Sequence, residues 1–486
     1  MPLQTMRDRS LGKADKPPRL MAIRVISLIF IIGLIYISGT HFSKPNALHW
    51  DWRHALFGGL ALTAWISFLF SLLRLAACIA PKPKAFRPET LSDKLPPYTV
   101  LVPLYNEANM VRSLMQALEA IEYPRDKLQI MLICEAVDPK TIASVNFHMR
   151  APFELIIVPK GTPQTKPRAL NYAMQFARGA YVTIYDAEDR PHPQQLLTAV
   201  AAFKARPDWG ALQAPLDYFN AQQNWLTRQF SLEYAALFHV WLPWLMRLKL
   251  PFPLGGTSNH MRREALDKVG GWDAHNVTED ADLSFRLAAY GYGVGYITSP
   301  TQEEAVSRLP DWHFQRARWV KGYMQTWIVH MGAPLAPIGT KGVLRFACLQ
   351  LTLGITLLSV WFYVPAIVAM VTALIWIIGT GQSLTLHPFY VFSFAFSIST
   401  AMLIGGIGAM RAGKPYLIQS AIFMPAYWAL LFAPSLRAIW ELKRIPFHWH
   451  KTEHGVSSAS KTSAATVNAV PINALDTEQG PNGSIK

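Results

Sequence analysis

The apolar residues of this chain are concentrated at its two ends, and this distribution limits the folds that it can adopt. The stretch from about Lys82 to Arg345 has the mixed composition of a globular domain, and long apolar runs lie on either side of it. At roughly 260 residues, that stretch is long enough to bury its own core. The sequence therefore predicts one globular domain held between membrane-spanning segments.

Charge and cysteine content narrow the classes of protein further. The formal net charge is +15, but many basic residues flank apolar runs, as Arg19 and Arg24 do, so anionic lipid explains the charge better than nucleic acid. A hydrophobic fraction of 51% with 16% charged residues is too apolar for an ordinary soluble enzyme. Cys78, Cys134 and Cys348 show no metal-ligand spacing and predict buried thiols.

Six membrane spans are predicted, two before the central domain and four after it. The first two cover residues 21–40 and 55–80. Basic residues lie before the first span and after the second, which predicts that the chain returns to the cytoplasm after the pair. Residues 344–379 are nearly twice as long as one crossing and carry Pro365 near their middle, which predicts two short spans. Two further apolar stretches cover residues 389–410 and 415–440.

This count leaves both termini in the cytoplasm, but it places Arg411 and Lys414 outside, against the usual distribution of basic residues. The even count is kept because the segment after the last span is predicted to act with the central domain. The predicted regions are residues 1–95 (basic N-terminus and two spans), 96–335 (globular domain with interfacial helices), 336–445 (four spans), 446–456 (the segment after the last span) and 457–486 (disordered tail).

The central domain alternates strand and helix patterns. The pattern predicts strands at residues 98–104, 129–134, 153–158 and 180–185, and helices at residues 111–121, 141–149 and 168–177. Such alternation is typical of a parallel sheet covered by helices, that is, a Rossmann-like α/β fold. Ligands bind beyond the carboxyl ends of such strands, where Asn106, Glu107, Glu135, Asp138 and Asp186 fall.

Two acidic clusters suggest chemistry at this edge. The segment 186–189 places Asp186, Glu188 and Asp189 on one turn, and such oxygen ligands suit Mg²⁺ or Mn²⁺ carrying a diphosphate. The alternative is a solvated acidic turn or a helix cap. The second cluster, around Glu279 and Asp280, precedes an apolar helix, so it is either a capping sequence or a general base for a hydroxyl nucleophile.

With these clusters, the sequence resembles the processive family 2 glycosyltransferases, which include cellulose, hyaluronan and chitin synthases. The resemblance covers residues 100–318 and the flanking spans. Its motifs, in the family's order, are Val102-Pro103-Leu104-Tyr105-Asn106-Glu107, Lys166-Pro167-Arg168-Ala169-Leu170-Asn171, Asp186-Ala187-Glu188-Asp189, Gly255-Gly256-Thr257-Ser258, Thr278-Glu279-Asp280 and Gln315-Arg316-Ala317-Arg318-Trp319. The resemblance implies a GT-A-like domain.

The resemblance also implies roles for these residues. Asp280, beside Glu279, is expected to be the general base of an inverting displacement. A Mg²⁺ or Mn²⁺ ion is expected at Asp186 with Glu188 or Asp189. The residues expected to contact the nucleotide are Glu107, Glu135, Asp138, Lys166, Arg168 and Asp186. More loosely, Lys451, Thr452 and His454 resemble a gating loop over the diphosphate, although a basic flank of the last span is an equal alternative.

The acceptor site is expected at a second group of residues. Gln315, Arg318 and Trp319 match the motif that lines it, and a Trp at the membrane interface is the alternative for Trp319 alone. Thr257, Ser258 and His260 are candidates for the same site, but a tight turn with a helix cap explains them at least as well. An amphipathic segment at residues 228–249 is expected to place the acceptor site under the membrane.

Together these observations predict a multi-pass enzyme of the bacterial inner membrane with a cytoplasmic catalytic domain. It would extend a β-linked polysaccharide from a nucleotide-sugar, with a UDP-sugar as the expected donor, and pass the product across the bilayer, toward export or periplasmic partner proteins. The alternative is transfer of a single sugar to a lipid-linked acceptor. An inert membrane scaffold or receptor is disfavoured by the intact carboxylates, and no nucleic acid partner is expected.

Overall fold

The computed structural model describes residues 52–92, 94–332, 340–381 and 388–445. The strands are β1 (Tyr98–Leu104), β2 (Leu128–Glu135), β3 (Phe153–Val158), β4 (Tyr181–Ile184), β5 (Arg190–Pro191), β6 (Trp209–Gln213), β7 (Leu216–Tyr218), β8 (Asn259–Arg262), β9 (Gly293–Tyr296) and β10 (Thr301–Glu303). The helices of the central domain are α1 (Trp52–Ile79, leading into it), α2 (Val111–Glu119), α3 (Pro139–His148), α4 (Lys166–Ala173), α5 (Gln195–Ala205), α6 (Trp225–Ala236), α7 (Leu242–Arg247), α8 (Arg263–Val269), α9 (Glu279–Ala289) and α10 (Leu309–Met331).

Seven strands form the main sheet, in the order β3-β2-β1-β4-β8-β6-β9. Strands β1 to β4 pair in parallel, as the alternating pattern predicts. The sheet is nevertheless mixed, because β8 runs antiparallel to both β4 and β6. The expectation of a parallel sheet was wrong at β8. The chain reaches this strand from α6 and α7, and not through the right-handed crossover helix that joins parallel strands.

The parallel strands are buried on both faces, and this explains their apolar composition. In β1, Val100 and Val102 pack into one core cluster, whereas Leu101 points to the opposite face and joins the other. Helix α2 covers the first cluster with four buried residues at intervals of three and four. It ends at Glu119, so Ile121, predicted to lie in the helix, follows it and is still buried.

A small sheet of β5, β10 and β7 lies beside the carboxyl edge of the main sheet. The predicted amphipathic segment 228–249 is helical, as α6 and α7 joined by a π-helical turn, Leu237–Trp241. Because β7 leads into α6, the small sheet connects the catalytic edge to the apolar helices.

After the central domain, residues 340–380 form one continuous helical run instead of the two short spans predicted. It consists of α11 (Thr340–Leu349), a π-helical turn (Gln350–Gly354) and α12 (Ile355–Thr380), with Pro365 inside α12. Apolar helices tolerate an interior proline where neighbouring groups satisfy the freed carbonyl. After the central domain, the described residues contain three helical segments long and apolar enough to cross a membrane, where the sequence predicted four: Gly342–Val368, Pro388–Arg411 and Pro415–Arg444.

The last two of these segments consist of α13 (Pro388–Arg411), a 3₁₀ helix (Pro415–Phe423), α14 (Met424–Leu430) and α15 (Phe432–Arg444). Arg411 and Lys414, predicted to lie outside, contact the catalytic domain. Lys414 Nζ donates to the carbonyl of Tyr218 at 2.7 Å. Arg411 donates to the carbonyl of His239 at 3.4 Å and to that of Ala80, directly after α1, at 2.6 Å. Because residues 340–380 form one helical run and not two spans, the number of predicted spans before Arg411 falls by one. The chain therefore returns to the domain at Arg411.

Helix α15 packs along α10 through a buried ion pair. Lys321 Nζ lies 2.9 Å from Glu441 Oε2, and the Lys321 side chain is fully buried. Arg437 also donates to Glu441, at 2.8 Å, but remains 35% exposed. The segment Pro415–Arg444 thus begins and ends at contacts with the catalytic domain.

Replacing Lys321 by Met is expected to destabilise the protein by about 3 to 5 kcal/mol, because the Glu441 carboxylate stays buried without its main cation. The matched control is Arg437→Met, which removes the exposed partner of the same carboxylate and should cost about 1 kcal/mol or less. Thermal unfolding in detergent measures both. Equal losses for the two variants would contradict the assignment.

Candidate active site

A cavity of about 1180 Å³ opens at the carboxyl edge of the main sheet and extends between the apolar helices. Its domain end is lined by carboxylates from different strands and loops, and its other end by side chains of α1, α12 and α13. The predicted site residues that line it are Glu107, Glu135, Lys166, Asp186, Glu188, Thr257, Glu279, Asp280, Gln315, Arg318 and Trp319. The fold therefore gathers most of the residues selected from the sequence.

Glu279 and Asp280 lie in the first turn of α9. Thr278 is at the cap position, but its side chain makes no capping hydrogen bond and instead lies 3.2 Å from the Thr326 hydroxyl on α10. Capping therefore does not explain the threonine. The first turn of a helix favours negative charge, and the backbone N–H of Ala281 donates to Asp280 Oδ1 at 2.7 Å.

Burial separates the acidities of these two carboxyl groups. Burial raises the pKa of Asp280 to about 6, although the Ala281 N–H and the Lys166 ammonium oppose the shift. Burial and the adjacent Asp280 charge raise the pKa of Glu279 to about 8. At neutral pH, Asp280 is therefore the carboxylate that is ionised and able to accept a proton.

Lys166 links the two acidic clusters. Its Nζ donates to Asp186 Oδ1 at 2.5 Å and to the carbonyl of Gly256 at 2.8 Å. Burial lowers the pKa of Lys166, but the carboxylates of Asp186 and Glu279 outweigh burial, so the net pKa lies above its ordinary value. Lys166 is therefore a permanent cation between the clusters.

The turn after β4 presents two of its three carboxylates to the cavity. Asp186 and Glu188 line it, whereas Asp189 is buried, accepts the Asp186 N–H at 2.7 Å and bonds the Thr257 hydroxyl. Asp189 thus shapes the turn, and Glu188 is the residue placed beside Asp186.

Two oxygen ligands at this turn fit a divalent cation held jointly with substrate phosphates. Mg²⁺ is commonly bound by one or two carboxylates plus phosphate oxygens. Within the described ranges, no three His, Cys, Asp or Glu side chains are grouped as an all-protein metal site. Asp186 and Glu188 therefore suit a cation that arrives with a diphosphate.

The other predicted nucleotide contacts differ in their surroundings. Glu135 lines the cavity and pairs with Arg168 at 3.4 Å, while burial raises its pKa despite that partner. Asp138 caps α3 by accepting the Thr141 N–H at 3.2 Å, and it also accepts the Asn106 N–H at 2.6 Å. Asp138 and Arg168 are outside the cavity lining, so they support Glu135 and the loop before Glu107 from behind.

Helix α10 directs polar groups without partners into the cavity. The Gln315 Oε1 and Arg318 Nε atoms are buried and have no hydrogen-bond partner within the described part of the chain. Trp319 lies beside them, with its ring 5.9 Å from Phe230 and 6.2 Å from Tyr234 between centroids. Unsatisfied buried groups are costly, so their presence here indicates a place for a polar ligand.

Of the three further acceptor candidates, only Thr257 lines the cavity. The Ser258 hydroxyl donates to Thr301, 2.6 Å away, inside the protein. His260 is fully buried in β8, with Nδ1 2.7 Å from the Tyr98 hydroxyl, and burial lowers its pKa to about 3. Ser258, just before β8, and His260, within it, are therefore internal side chains. Lys451, Thr452 and His454 lie outside the described residues.

Two residues at the cavity were not among the site residues predicted from the sequence. Glu303, at the end of β10, lines the cavity and follows the same strand-end rule that selected Asp186. Arg316 forms a bidentate ion pair with Glu233 of α6, and its guanidinium carbon lies 4.7 Å from the centre of the Trp319 ring. The signal for Arg316 was its place within the Gln-x-x-Arg-Trp motif, but its partner comes from a distant segment.

Comparison with known proteins identifies the family. The family model described as glycosyl transferase family group 2 matches residues 181–435, which include both acidic clusters and α10. The chain belongs to this family. This match confirms the predicted family, and the enzyme is a glycosyltransferase.

Individual relatives make chemically different products. The glycosyltransferase is 27% identical to beta-monoglucosyldiacylglycerol synthase of Synechocystis over 288 residues, which cover 58% of each chain. It is 26% identical to cellulose synthase 2 of Novacetimonas hansenii over 306 residues, which cover 62% of this chain and 18% of that protein. The chain therefore spans little more than half of one relative and under a fifth of the other.

A solved structure supports the fold. A mannosyltransferase from Pyrobaculum calidifontis, determined in complex with GDP-Man and Mn²⁺, superposes with a TM-score of 0.50 at 20% identity. The match covers 79% of this chain and 97% of that one. The predicted GT-A-like α/β fold is thereby confirmed.

Replacing Gly322 by Ala is expected to lower the rate of sugar transfer at least about tenfold. A Cβ at this position would lie 2.3 Å from Thr278 Cγ2, so α10 would have to move away from the start of α9. The rate of nucleoside diphosphate release measures the effect. Gly379→Ala is the matched control, since that helical glycine has no neighbour within 4 Å. Thr278→Ser should partly restore the rate of the Gly322→Ala variant, and an unchanged rate for Gly322→Ala would contradict the close contact between Gly322 and Thr278.

Proposed function

We propose that this glycosyltransferase catalyses inverting transfer of a sugar from a nucleotide-sugar to an acceptor hydroxyl in the cavity, and that it elongates a β-linked polysaccharide. The observation that carries the proposal is the convergence of Asp280, the Asp186–Glu188 turn and the unpartnered Gln315 and Arg318 groups on one cavity. These groups come from distant segments and differ in chemistry. A donor site that adjoins an acceptor site would explain why these groups line the same cavity.

In the proposed reaction, Asp280 removes the proton of the acceptor hydroxyl while that oxygen attacks the anomeric carbon. The bond from that carbon to the diphosphate oxygen breaks, and the nucleoside diphosphate leaves. One base and one displacement give inversion. Gly256 supports this role, because a side chain there would contact Asp280 Oδ2, at 3.5 Å from the Cβ, and would narrow the approach to the base.

The donor would lie over the carboxyl edge of the sheet. Asp186 and Glu188 would hold Mg²⁺ or Mn²⁺, which neutralises the diphosphate as it departs. Lys166 and Arg318 add fixed positive charge on either side, and Glu107 and Glu135 line the end of the cavity proposed for the nucleoside. A UDP-sugar is the first donor to test, and GDP-mannose is the second because the mannosyltransferase of similar fold binds it.

The path proposed for the product runs between the apolar helices. Thr352, Thr356, Ser359 and Tyr363 recur at intervals of four and three along one face and line the cavity, so they form a row of hydroxyl-bearing side chains. Arg74 of α1 also lines the cavity and donates to the carbonyl of Ser397 at 3.2 Å. Polar groups within apolar helices commonly mark a pathway for a polar substrate. A growing glycan fits this row.

Transfer of one sugar to a membrane lipid is the second candidate. Much of the same cavity is apolar, with Leu351, Leu358, Val360, Phe362 and Ile398 among its lining residues. Such a surface suits an acyl or isoprenoid chain, and the relative that makes monoglucosyldiacylglycerol supports this candidate. Both candidates use the same base and donor site.

We also propose that the enzyme is a multi-pass protein of the bacterial inner membrane whose catalytic domain faces the cytoplasm. With residues 340–380 and 388–411 as two crossings, Arg411 and Lys414 lie on the cytoplasmic side, as basic residues usually do. The segment Pro415–Arg444 would then lie along the domain at the membrane surface, because Lys414 and Glu441 both contact the domain.

The pH dependence of the reaction tests the base. Because Asp280 must be ionised to accept a proton and its pKa is raised to about 6, kcat/KM should rise with pH and level off above about pH 6. Asp280→Asn should lower the rate by about 10² to 10⁴-fold at every pH and remove this limb, whereas Asp280→Glu should retain a titrating limb. Initial rates of nucleoside diphosphate release, measured with a panel of donors and Mn²⁺ or Mg²⁺, give the profile. A profile that stays flat below pH 6 would exclude Asp280 as the base.

Product size separates the two candidates. The enzyme in lipid vesicles with radiolabelled donor should yield a polymer, and Thr356→Val should shorten it, because one oxygen of the row is lost while the catalytic residues remain. Ser399→Ala is the matched control, since Ser399 is exposed on α13 and outside the cavity lining. A lipid carrying a single sugar as the sole product would establish the second candidate instead.

A further inference from the structure

Glu303 is a buried acidic residue of the cavity, and it has no role in the proposed transfer reaction. Its residue is 8% exposed, it lines the cavity, and its Oε1 atom has no hydrogen-bond partner among the residues that the structure describes. Asp189 uses one oxygen to bond Thr257 and the Asp186 backbone and lies outside the cavity lining, whereas the unpartnered oxygen of Glu303 belongs to a residue that lines the cavity. A buried acceptor of this kind is expensive unless a ligand supplies a donor.

The backbone around Glu303 is rigidly placed. Strand β10 pairs in parallel with β7, with Glu303 opposite Tyr218, and the N–H of Phe219 donates to the Glu303 carbonyl at 3.1 Å. Gln302, the preceding residue, points away and donates to Asp217 Oδ2 at 3.3 Å. The strand therefore directs Glu303 into the cavity and Gln302 out of it.

The charges nearest to Glu303 argue against a structural ion pair. Burial, followed by the charges of Asp189, Glu188 and Asp186, raises its pKa well above the usual value. Lys166 is the cation that opposes this shift, and its ammonium is already bonded to Asp186 and to a carbonyl. Glu303 is thus held in place by its strand and not by a basic partner.

Aromatic side chains lie on the other side of Glu303. Tyr218 and Tyr234 line the cavity with it, and their ring centroids are 4.7 Å apart. The ring of Tyr234 in turn lies 6.2 Å from that of Trp319. A carboxylate beside aromatic faces is suited to a sugar ring, because the carboxylate accepts from hydroxyl groups while the rings cover the C–H face.

We propose that the Glu303 carboxylate binds hydroxyl groups of a sugar ring positioned between the Asp186–Glu188 turn and Trp319, and so helps to select which sugar reacts. This proposal rests on the proposed transfer from a nucleotide-sugar. The ring is either that of the donor sugar or the terminal sugar of the acceptor, since both present hydroxyl groups at this junction. Glu303 is a positioning and specificity residue, and Asp280 remains the base.

The experiment compares Glu303→Gln with the wild-type enzyme in three measurements: binding of the nucleoside diphosphate with Mn²⁺, binding of the corresponding nucleotide-sugar, and the KM for acceptor. The probes are UDP and UDP-glucose, or GDP and GDP-mannose, whichever pair the wild type binds. Glutamine keeps the shape but replaces one acceptor oxygen by an NH₂ donor, so sugar binding should weaken about tenfold while the diphosphate and Mn²⁺ dependence stay unchanged. Gln302→Ala is the control for damage to β10, and Glu303→Asp replaces Glu303→Gln if that variant does not fold.

Each outcome has a distinct meaning. Weaker nucleotide-sugar binding with normal diphosphate binding assigns Glu303 to the donor sugar, and a raised acceptor KM alone assigns it to the acceptor. Weaker diphosphate binding with a raised Mn²⁺ requirement would overturn the proposal, because Glu303 would then serve the cation. Wild-type values in all three measurements would also overturn it. Failure of the wild type to bind any nucleotide-sugar would instead refute the proposed function.

Discussion

The arrangement of the site depends on the close contact between the start of α9 and the middle of α10. Gly322 has no side chain, so the buried Thr278 packs directly against the helix backbone. Asn276 donates to the Thr326 hydroxyl at 2.9 Å on the next turn, and the Val277 N–H donates to Gln325 at 3.3 Å. These contacts set the distance from Asp280 to the groups that α10 presents, because no flexible side chain separates the two elements.

The second constraint is the balance of charge in a buried site. Asp186, Glu188, Glu279 and Asp280 line one cavity, and bringing carboxylates together away from water is unfavourable unless cations or protons compensate them. Lys166 compensates part of this charge by bonding Asp186 at 2.5 Å. A divalent ion with a diphosphate would supply further compensation, and the polar groups of α10 would then have partners. The unfilled hydrogen-bonding capacity of the cavity therefore supports its proposed role as a binding site.

Local patterns in the sequence predicted much of the fold and part of the candidate site. Strands β1 and β3 have the predicted bounds, because a strand buried on both faces is a short continuous apolar run. The strand-end rule found Asp186 and Glu135, which line the cavity, but also Asp138, which caps a helix. The rule did not select Glu303, because the three residues of β10 are too short a pattern to be recognised as a strand. The antiparallel strand β8 was not predicted, and His260 was predicted at the acceptor site although it is buried in that strand, because pairing direction depends on distant segments.

By itself, the sequence determined that a globular α/β domain lies between apolar segments and that ordered acidic motifs follow its strands, because composition and periodicity are local properties of the chain. The tertiary structure decided which residues of these motifs share one cavity and which are internal supports. It placed Glu188 beside Asp186 and turned Asp189 inward, and it brought Glu303 to the same cavity. It also kept residues 340–380 in one helical run and returned Arg411 to the domain. Such outcomes depend on contacts between segments far apart in the chain, which no local pattern encodes.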